Sequence, residues 1–397
     1  MSYMVYQLGA MAPRLSEYHS ELRLAFAWLD AFKPTRKIDS TTLWFELACF
    51  LWNLAALHSE LGSRVDRSTE AGIKAANKHF QLSAGALEAI GTLCMPQLPS
   101  LVGTNTSAGG PISVLAVKMG VQLMLAQAQL CFYEKAVRDR KAGSMKPGII
   151  AKLAAQTAVF YGGAAELCKQ GVLASYLDPS WAGHCAFQHK CFQAAAEYWQ
   201  SQAVKEEAQQ QGSGYAEEIT RLVRAEGHLR QALDLANTAK LGVSLTNGAA
   251  ALQRTVAAAK TSAEHDNRTV YMERVPADAS LAAVSAVSMV KPAPLTEYTT
   301  LAAGHEKSAA VFFKDVVPRE VLALLAATKE RLGDVLAHSA GAVTLATNDA
   351  RYQLSALGLP GSLETHKTGG QLPENLWVKV QRVQVRMCAS RTPVLFL

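Results

Sequence analysis

The sequence predicts an all-α protein, a helical solenoid with one small β element near the N-terminus. Hydrophobic residues make up 49% of the 397 residues and charged residues only 18%, a composition too apolar for a disordered chain. Alanine-rich segments with helical spacing of apolar residues follow one another with few breakers. Because small residues let helices approach closely, this pattern favours a packed helical array.

The β element is predicted over residues 21–28. Leu22, Leu24, Phe26 and Trp28 alternate with more polar positions, and period two is typical of a half-buried strand.

After this strand, apolar residues recur at helical spacing and the segments are separated by Gly, Pro and Ser. The predicted helices cover residues 40–61, 68–90, 111–140, 149–169, 182–210, 215–240, 243–264 and 318–357. Consecutive helix pairs of no fixed repeat length indicate an irregular solenoid of the tetratricopeptide type. Residues 269–295 hold three prolines and little periodicity, which predicts an extended strap laid over the helices.

Composition argues against several functional classes. The excess of 39 basic over 33 acidic residues gives a net charge of +6, mild for a nucleic-acid-binding protein. No run of about 18 apolar residues predicts a membrane span, and residues 1–12 lack the basic start of a secretory signal. Seven scattered cysteines without a CxxC pair predict reduced thiols in a cytoplasmic protein.

The sequence holds no GxGxxG motif after a strand and no GxxxxGK(S/T), HExxH or GxSxG motif, so it indicates no cofactor. His184, Cys185, His189 and Cys191 form the densest reactive cluster. Only Cys185 and His189 share a helix face, whereas structural zinc requires four convergent ligands. We therefore interpret the cluster as packing and predict no metal site; a metal-dependent activity at Cys185 and His189 is the alternative.

Two charged segments are candidates for a functional role. Glu217 and Arg221, four residues apart, predict a helix-surface ion pair of about 0.3–0.5 kcal/mol. A basic stretch with a local net charge of six minus two, or +4, is either a solvated helix face or a patch for an acidic protein or an anionic membrane. Its members are Lys135, Arg138, Arg140, Lys141, Lys146 and Lys152.

Three apolar residues lie beside this basic stretch. Ile149 and Leu153 are one turn apart, and Phe132 is near the end of the preceding helix. Periodicity alone favours core positions for all three, and an apolar notch with a basic rim is the alternative.

Several motifs resemble the Bro1 domain, in the order typical of that family and spread over residues 20–294. They are NLAAL at 53–57, GIKAANKHF at 72–80, LMLAQAQ at 123–129, IIAKLA at 149–154, EEITRL at 217–222 and Val275-Pro276. Residues 312–385 resemble the start of the V domain that follows the Bro1 domain in Alix-type proteins.

This resemblance implies a Bro1 domain over residues 1–300, truncated at its N-terminus so that the predicted strand lacks its family partner. A V-domain-like helical arm follows over 301–385, and residues 386–397 form an unassigned tail. Such domains are banana-shaped and are adaptors rather than enzymes.

The resemblance also implies a partner: the C-terminal amphipathic helix of an ESCRT-III subunit of the Snf7/CHMP4 type. The protein would then act in endosomal sorting and multivesicular body formation, cytoplasmic but recruited to endosomes, with possible peripheral membrane contact. Carried over by residue, the binding pocket falls on Phe132, Ile149 and Leu153, and the basic contact on Lys74. The alternative is a signalling scaffold of the PalA pH-response type or the rhophilin type.

Overall fold

The computed structural model describes residues 2–15, 24–98, 110–294, 317, 319–361 and 374–389. The chain divides into two compact units, Met1–Pro318 and Arg319–Leu397. In the described parts of the chain, the first unit holds the helical array and the second holds two further helices.

The N-terminal end of the first unit combines a helix and a hairpin. Helix α1 (Ser2–Leu15), which the sequence did not predict, belongs through Val5 and Leu8 to the same core cluster as the long helix after the hairpin. Strands β1 (Phe26–Leu29) and β2 (Lys37–Ser40) pair antiparallel. The predicted strand 21–28 is confirmed at residues 26–28, and residues 21–23 lie outside the described residues. Its pairing partner β2 was missed because only Ile38 in that segment is apolar.

Seven described helices of the array coincide with the prediction to within about three residues at most ends, and a short one, α6, was not predicted. Together with α6, the helices of the array are α2 (Leu43–Arg64), α3 (Glu70–Ala89), α4 (Val114–Lys141), α5 (Pro147–Cys168), α6 (Gly171–Tyr176), α7 (Pro179–Gln211), α8 (Ala216–Thr238) and α9 (Val243–Asp266). Apart from α6, each helix packs against the next one along the chain. The predicted helical solenoid is therefore confirmed, with a two-stranded sheet as its small β element.

Local sequence explains where these helices begin. The hydroxyls of Thr42, Thr69 and Ser113 accept hydrogen bonds from the first-turn amides of α2, α3 and α4, which satisfies donors that have no partner inside a helix. Helix α5 begins instead with Pro147, whose fixed φ suits the first helical position.

Helix α4 is long and apolar enough to span a bilayer, and is the single such helix in the described part of the chain. Most of its apolar window is buried, and α3 and α5 pack against it on either side. This is the behaviour of a core helix in a globular fold.

The predicted strap is confirmed over the described residues up to 294. Buried Gln129 on α4 donates to the Val287 carbonyl and accepts from the Met289 amide. The Val287 amide donates to the carbonyl of Lys152 on α5. On α3, Gln81 accepts from the Ala293 amide through its backbone carbonyl. The strap thus crosses α5, α4 and α3 in turn.

The N-terminal part of the strap is held by arginine side chains of α8. Arg221 on α8 pairs with Glu217 at 3.0 Å, but also with Glu197 of α7 at 3.1 Å, and it donates to the Ala282 carbonyl. Its side chain is only 5% exposed. The prediction of an ordinary surface ion pair was therefore wrong, because the strap covers this position. Arg224 extends the network to Asp278.

The second unit contains α10 (Arg319–Ala356) and α11 (Glu374–Ala389). Helix α10 matches the predicted helix 318–357. Helix α11 was missed, and its last turn enters the segment from Arg386 for which the sequence indicated no pattern. Residues 301–316 and 390–397 lie outside the described residues, and the V-domain-like arm stays a prediction.

We expect Gly85→Ala to loosen the strap. A Cβ on Gly85 would lie 1.9 Å from the Ala293 carbonyl oxygen, so the strap backbone would have to move away from α3. Such overpacking costs about 1–3 kcal/mol. Thermal unfolding should show a lower Tm, and hydrogen exchange should show faster exchange of the Ala293 amide.

Gly227→Ala in α8 is the matched control, because its Cβ would meet no atom within 4 Å. This change should leave the strap protected and raise stability by about 0.5–1 kcal/mol. Equal effects of both substitutions would contradict the close approach at Gly85.

A histidine pair joins α2 to α3. The Nδ1 atoms of His58 and His79 lie 3.0 Å apart, a distance that accommodates one shared proton. Burial, and then the neighbouring His79, lowers the pKa of His58 to about 4. Burial, and then the charge of Lys78, lowers the pKa of His79.

We therefore expect stability to fall as the pH drops from about 6.5 towards 4. In this window the two histidines take up protons in the unfolded chain but stay neutral in the folded chain. The free energy of unfolding therefore falls, by about 2 kcal/mol at the acid end. Other histidines contribute as well, so the test compares Tm against pH for the wild type and His79→Gln, which removes one titrating group. The variant should show the shallower profile, and His265→Gln, at an exposed position on α9, should not. Superimposable profiles for all three proteins would contradict the role of the pair.

Candidate functional site

The turn between α4 and α5 sets the geometry of the candidate site. Gly143 takes φ +79°, which favours glycine, and the Ser144 amide donates back to the Asp139 carbonyl. Arg140 donates to the Met145 carbonyl, so the turn is tied to the end of α4. Helix α5 then begins at Pro147, which places Ile149 in its first turn, 47% exposed.

Phe132 and Leu153 share one apolar cluster between α4, α5 and α7. Ala136, Ile150 and Leu153 are its buried members, and the half-buried side chains packed against them are Phe132, Tyr133, Val137, Met145 and Trp199. The Trp199 indole also donates to the Tyr133 hydroxyl at 3.1 Å. Ile149 lies one helical turn before Leu153, on the same side of α5. We call Phe132, Ile149 and Leu153 the notch.

The three notch residues differ in exposure. Ile149 is open to solvent, Phe132 is half-buried, and Leu153 is only 6% exposed. The implied pocket position of Leu153 is thus corrected, because its side chain is buried in the cluster that also contains Ile150. Leu153 forms the floor of the notch, and Ile149 forms its edge.

Lys74, the predicted basic contact, is exposed and pairs with Glu70 on α3 at 3.0 Å. The same Glu70 oxygen is 3.9 Å from the ammonium group of Lys135, one turn beyond Phe132 on α4. Lys135 in turn pairs with Asp139 at 2.8 Å. The structure therefore links Lys74 to the flank of Phe132 through a row of alternating charges.

The remaining basic stretch divides into two groups. Arg138 donates to the Arg67 carbonyl and Arg140 pairs with Glu206, so both hold the fold together. Exposed cations that form no salt bridge with any described residue are Lys141, Lys146 and Lys152. The patch available to a partner is thus smaller than the sequence indicated, and it runs from the end of α4 to the start of α5.

The strap borders the notch on its remaining side. Gln129 precedes Phe132 by almost one turn, and the Lys152 carbonyl that accepts from Val287 lies next to Leu153. Helical spacing places Lys74, Gln81 and Glu88 on one stripe of α3, with Gln81 under the strap. The strap therefore divides the surface formed by α3, α4 and α5, and the notch lies on one side of it.

The other reactive candidates are structural. Cys185 is buried, and the His189 Nδ1 atom lies 2.7 Å from the Ala158 carbonyl oxygen. Among the described residues, no three His, Cys, Asp or Glu side chains converge as a metal site would require. Burial raises the pKa of Cys131 to about 11 and that of Cys191 to about 12, so these thiols stay protonated and unreactive.

Sequence reasoning missed Glu70, Met145 and Trp199. The spacing of Glu70 and Lys74, four residues apart on one helix, could have indicated their ion pair. Trp199 lies on α7, 46 residues after Leu153 in the chain, and no local pattern relates the two.

A model of the BRO1-like domain family matches residues 1–336. The chain is 30% identical to the vacuolar-sorting protein BRO1 of Arabidopsis thaliana over 91% of its length, which corresponds to 40% of that protein. It is 30% identical to programmed cell death 6-interacting protein of Xenopus laevis over 95% of its length, again 40% of the relative. It is 29% identical to the pH-response regulator palA/RIM20 of Emericella nidulans over 90% of its length and 40% of that protein.

Solved structures agree with this assignment. The crystal structure of ALIX in complex with the SIVmac239 PYKEVTEDL late domain superposes with a TM-score of 0.67 and 28% identity, covering 96% of this chain and 51% of the chain in that structure. The ALIX BRO1–CHMP4C complex gives a TM-score of 0.58 with 29% identity, over 72% of this chain and 77% of that one. The chain spans about 40% of the length of the curated relatives it matches, and it belongs to the BRO1-like domain family.

Proposed function

We propose that this domain is a non-enzymatic adaptor that binds the C-terminal amphipathic helix of an ESCRT-III subunit of the Snf7/CHMP4 type. Its role would be in endosomal sorting and multivesicular body formation. The observation that carries the proposal is the 47% exposed Ile149 at the edge of an apolar notch, beside lysines without salt bridges.

The notch suits helix-in-groove recognition, in which apolar residues at turn spacing insert and rim charges fix orientation. Ile149 and Phe132 offer new apolar burial of about 1.5–3 kcal/mol each, whereas Leu153 is already buried and supports them. Because association costs about 4–15 kcal/mol, further contacts along the helix are needed. We expect an affinity in the micromolar range.

Family relationships support the same partner class. One structural neighbour is ALIX BRO1 bound to CHMP4C, and one relative is a vacuolar-sorting protein. A domain with this role is cytoplasmic and is recruited to endosomes by its partner. The similarity to palA/RIM20 favours a second candidate, a pH-response signalling scaffold, which would present the same domain to a different pathway.

We expect Ile149→Asp to weaken binding of a synthetic CHMP4-type C-terminal helix at least tenfold, because a carboxylate would meet the apolar face of the peptide. Fluorescence anisotropy with the labelled peptide measures the loss. The Tm should stay near that of the wild type, since Ile149 is open to solvent.

Val159→Asp is the matched control. Val159 is 54% exposed on the same helix α5, beyond the strap, and its substitution should leave peptide affinity unchanged. If Ile149→Asp binds as tightly as the wild type, the notch is not the binding site. If it unfolds, Ile149 belongs to the core and the proposal loses its main residue.

We also propose peripheral contact with an anionic membrane through Lys141, Lys146 and Lys152. These side chains are exposed without salt bridges in the described structure, and each lysine near an anionic surface contributes about 1 kcal/mol. Flotation with phosphatidylserine vesicles should exceed flotation with neutral vesicles, and a triple Lys→Gln variant should abolish the difference.

A triple Lys→Gln variant at Lys118, Lys169 and Lys240 is the control for net charge, and it should float like the wild type. Wild-type flotation that does not depend on anionic lipid would remove the membrane proposal and leave the helix-binding proposal intact.

A further inference from the structure

One carboxylate holds two of the cations on the α3 side of the notch. Glu70 Oε1 is 3.0 Å from the Lys74 ammonium group and 3.9 Å from that of Lys135. Lys74 is the predicted basic contact, and Lys135 lies one turn beyond Phe132 on α4. Both positive charges are therefore partly neutralised in the free domain.

These ion pairs are open to solvent. The side chains of Glu70 and Lys74 are 60% and 70% exposed, and that of Lys135 is 33% exposed. Pairs of this kind contribute little to stability and exchange readily with other charges. The hydrogen bond and charge of Lys74, and then the charge of Lys135, lower the pKa of Glu70, so the carboxylate stays ionised at neutral pH.

The opposite side of the notch is different. Lys146 and Lys152 flank Ile149 in sequence, and neither forms a salt bridge with a described residue. A partner helix in the notch would thus meet open positive charge at the start of α5 and compensated charge on α3 and α4. This asymmetry is a physical basis for selecting partners by their charge.

We propose that Glu70 is an internal competitor that occupies Lys74 in the free domain, shares Lys135 with Asp139, and sets how strongly an acidic partner helix is bound. The inference rests on the proposed function, because it concerns the same notch. An acidic residue of the partner must share these lysines with Glu70 and then lies beside its carboxylate. Like charges at close range disfavour the complex, so Glu70 weakens acidic partners and has little effect on neutral ones.

The test measures Kd for two synthetic peptides by fluorescence anisotropy at low and high salt. One is the CHMP4-type C-terminal amphipathic helix, and the other has its acidic residues replaced by Gln. For the acidic peptide, Glu70→Gln should lower Kd by about two- to fivefold, the range for exposed ion pairs. The gain should shrink at high salt because screening weakens exposed charges. The neutral peptide should bind wild type and variant alike.

Glu166→Gln is the matched control. Glu166 is also exposed and pairs with a lysine, Lys169, at 3.0 Å, and it is 17 residues from Ile149 on α5, about 25 Å along the helix. The control changes net charge by the same amount and should leave both Kd values unchanged. Thermal melts check that Glu70→Gln, in the first turn of α3, stays folded.

The outcomes separate the two proposals. If the wild type binds the acidic peptide and Glu70→Gln binds it no more tightly than Glu166→Gln does, the competitor role is overturned and the proposed function stands. If the wild type binds neither peptide, both proposals fail. A gain for the neutral peptide equal to that for the acidic one would also overturn the inference, because charge competition would not explain it.

Discussion

The strap is the constraint on which the arrangement of the helices depends. In a solenoid each helix contacts mainly its neighbours, so order along the array is built up pair by pair. The bond between the Gln129 amide and the Val287 carbonyl joins residues 158 positions apart, and the approach to Gly85 leaves no space for a Cβ. Three successive helices are thereby fixed against one extended segment, and the position of the notch follows from that.

The notch results from the difference in burial among neighbouring apolar residues at the start of α5. Helix α5 buries Ile150 and Leu153 against α4 and α7, whereas Ile149, one turn before Leu153 at the start of the helix, stays open to solvent. Exposed apolar residues are common singly. Ile149 also has the half-buried Phe132 on the preceding helix and the exposed Lys146 and Lys152 at the start of α5, and that combination makes it a candidate for partner binding.

Ion pairs in this domain differ in burial between the strap and the notch. Beneath the strap, Arg221 and Glu197 pair while almost fully buried, where loss of one partner would leave an uncompensated charge and be costly. Around the notch, Glu70 and Lys74 are exposed and Lys135 is half-buried, and rearranging such ion pairs costs little. The same kinds of side chain thus hold the strap in one place and stay available to a partner in the other.

The sequence by itself determined the long helices from α2 to α10, the strap and the family, because each is encoded locally. Apolar spacing marks α2 to α5, the prolines after residue 270 stop helix formation, and short motifs such as IIAKLA carry the resemblance. Tertiary structure alone decided that Leu153 is covered while Ile149 is open, that Arg221 is buried under the strap, and that Glu70 reaches Lys135 on a neighbouring helix. Periodicity gives the side of a helix on which a residue lies, but the burial of that side depends on which distant segment packs against it.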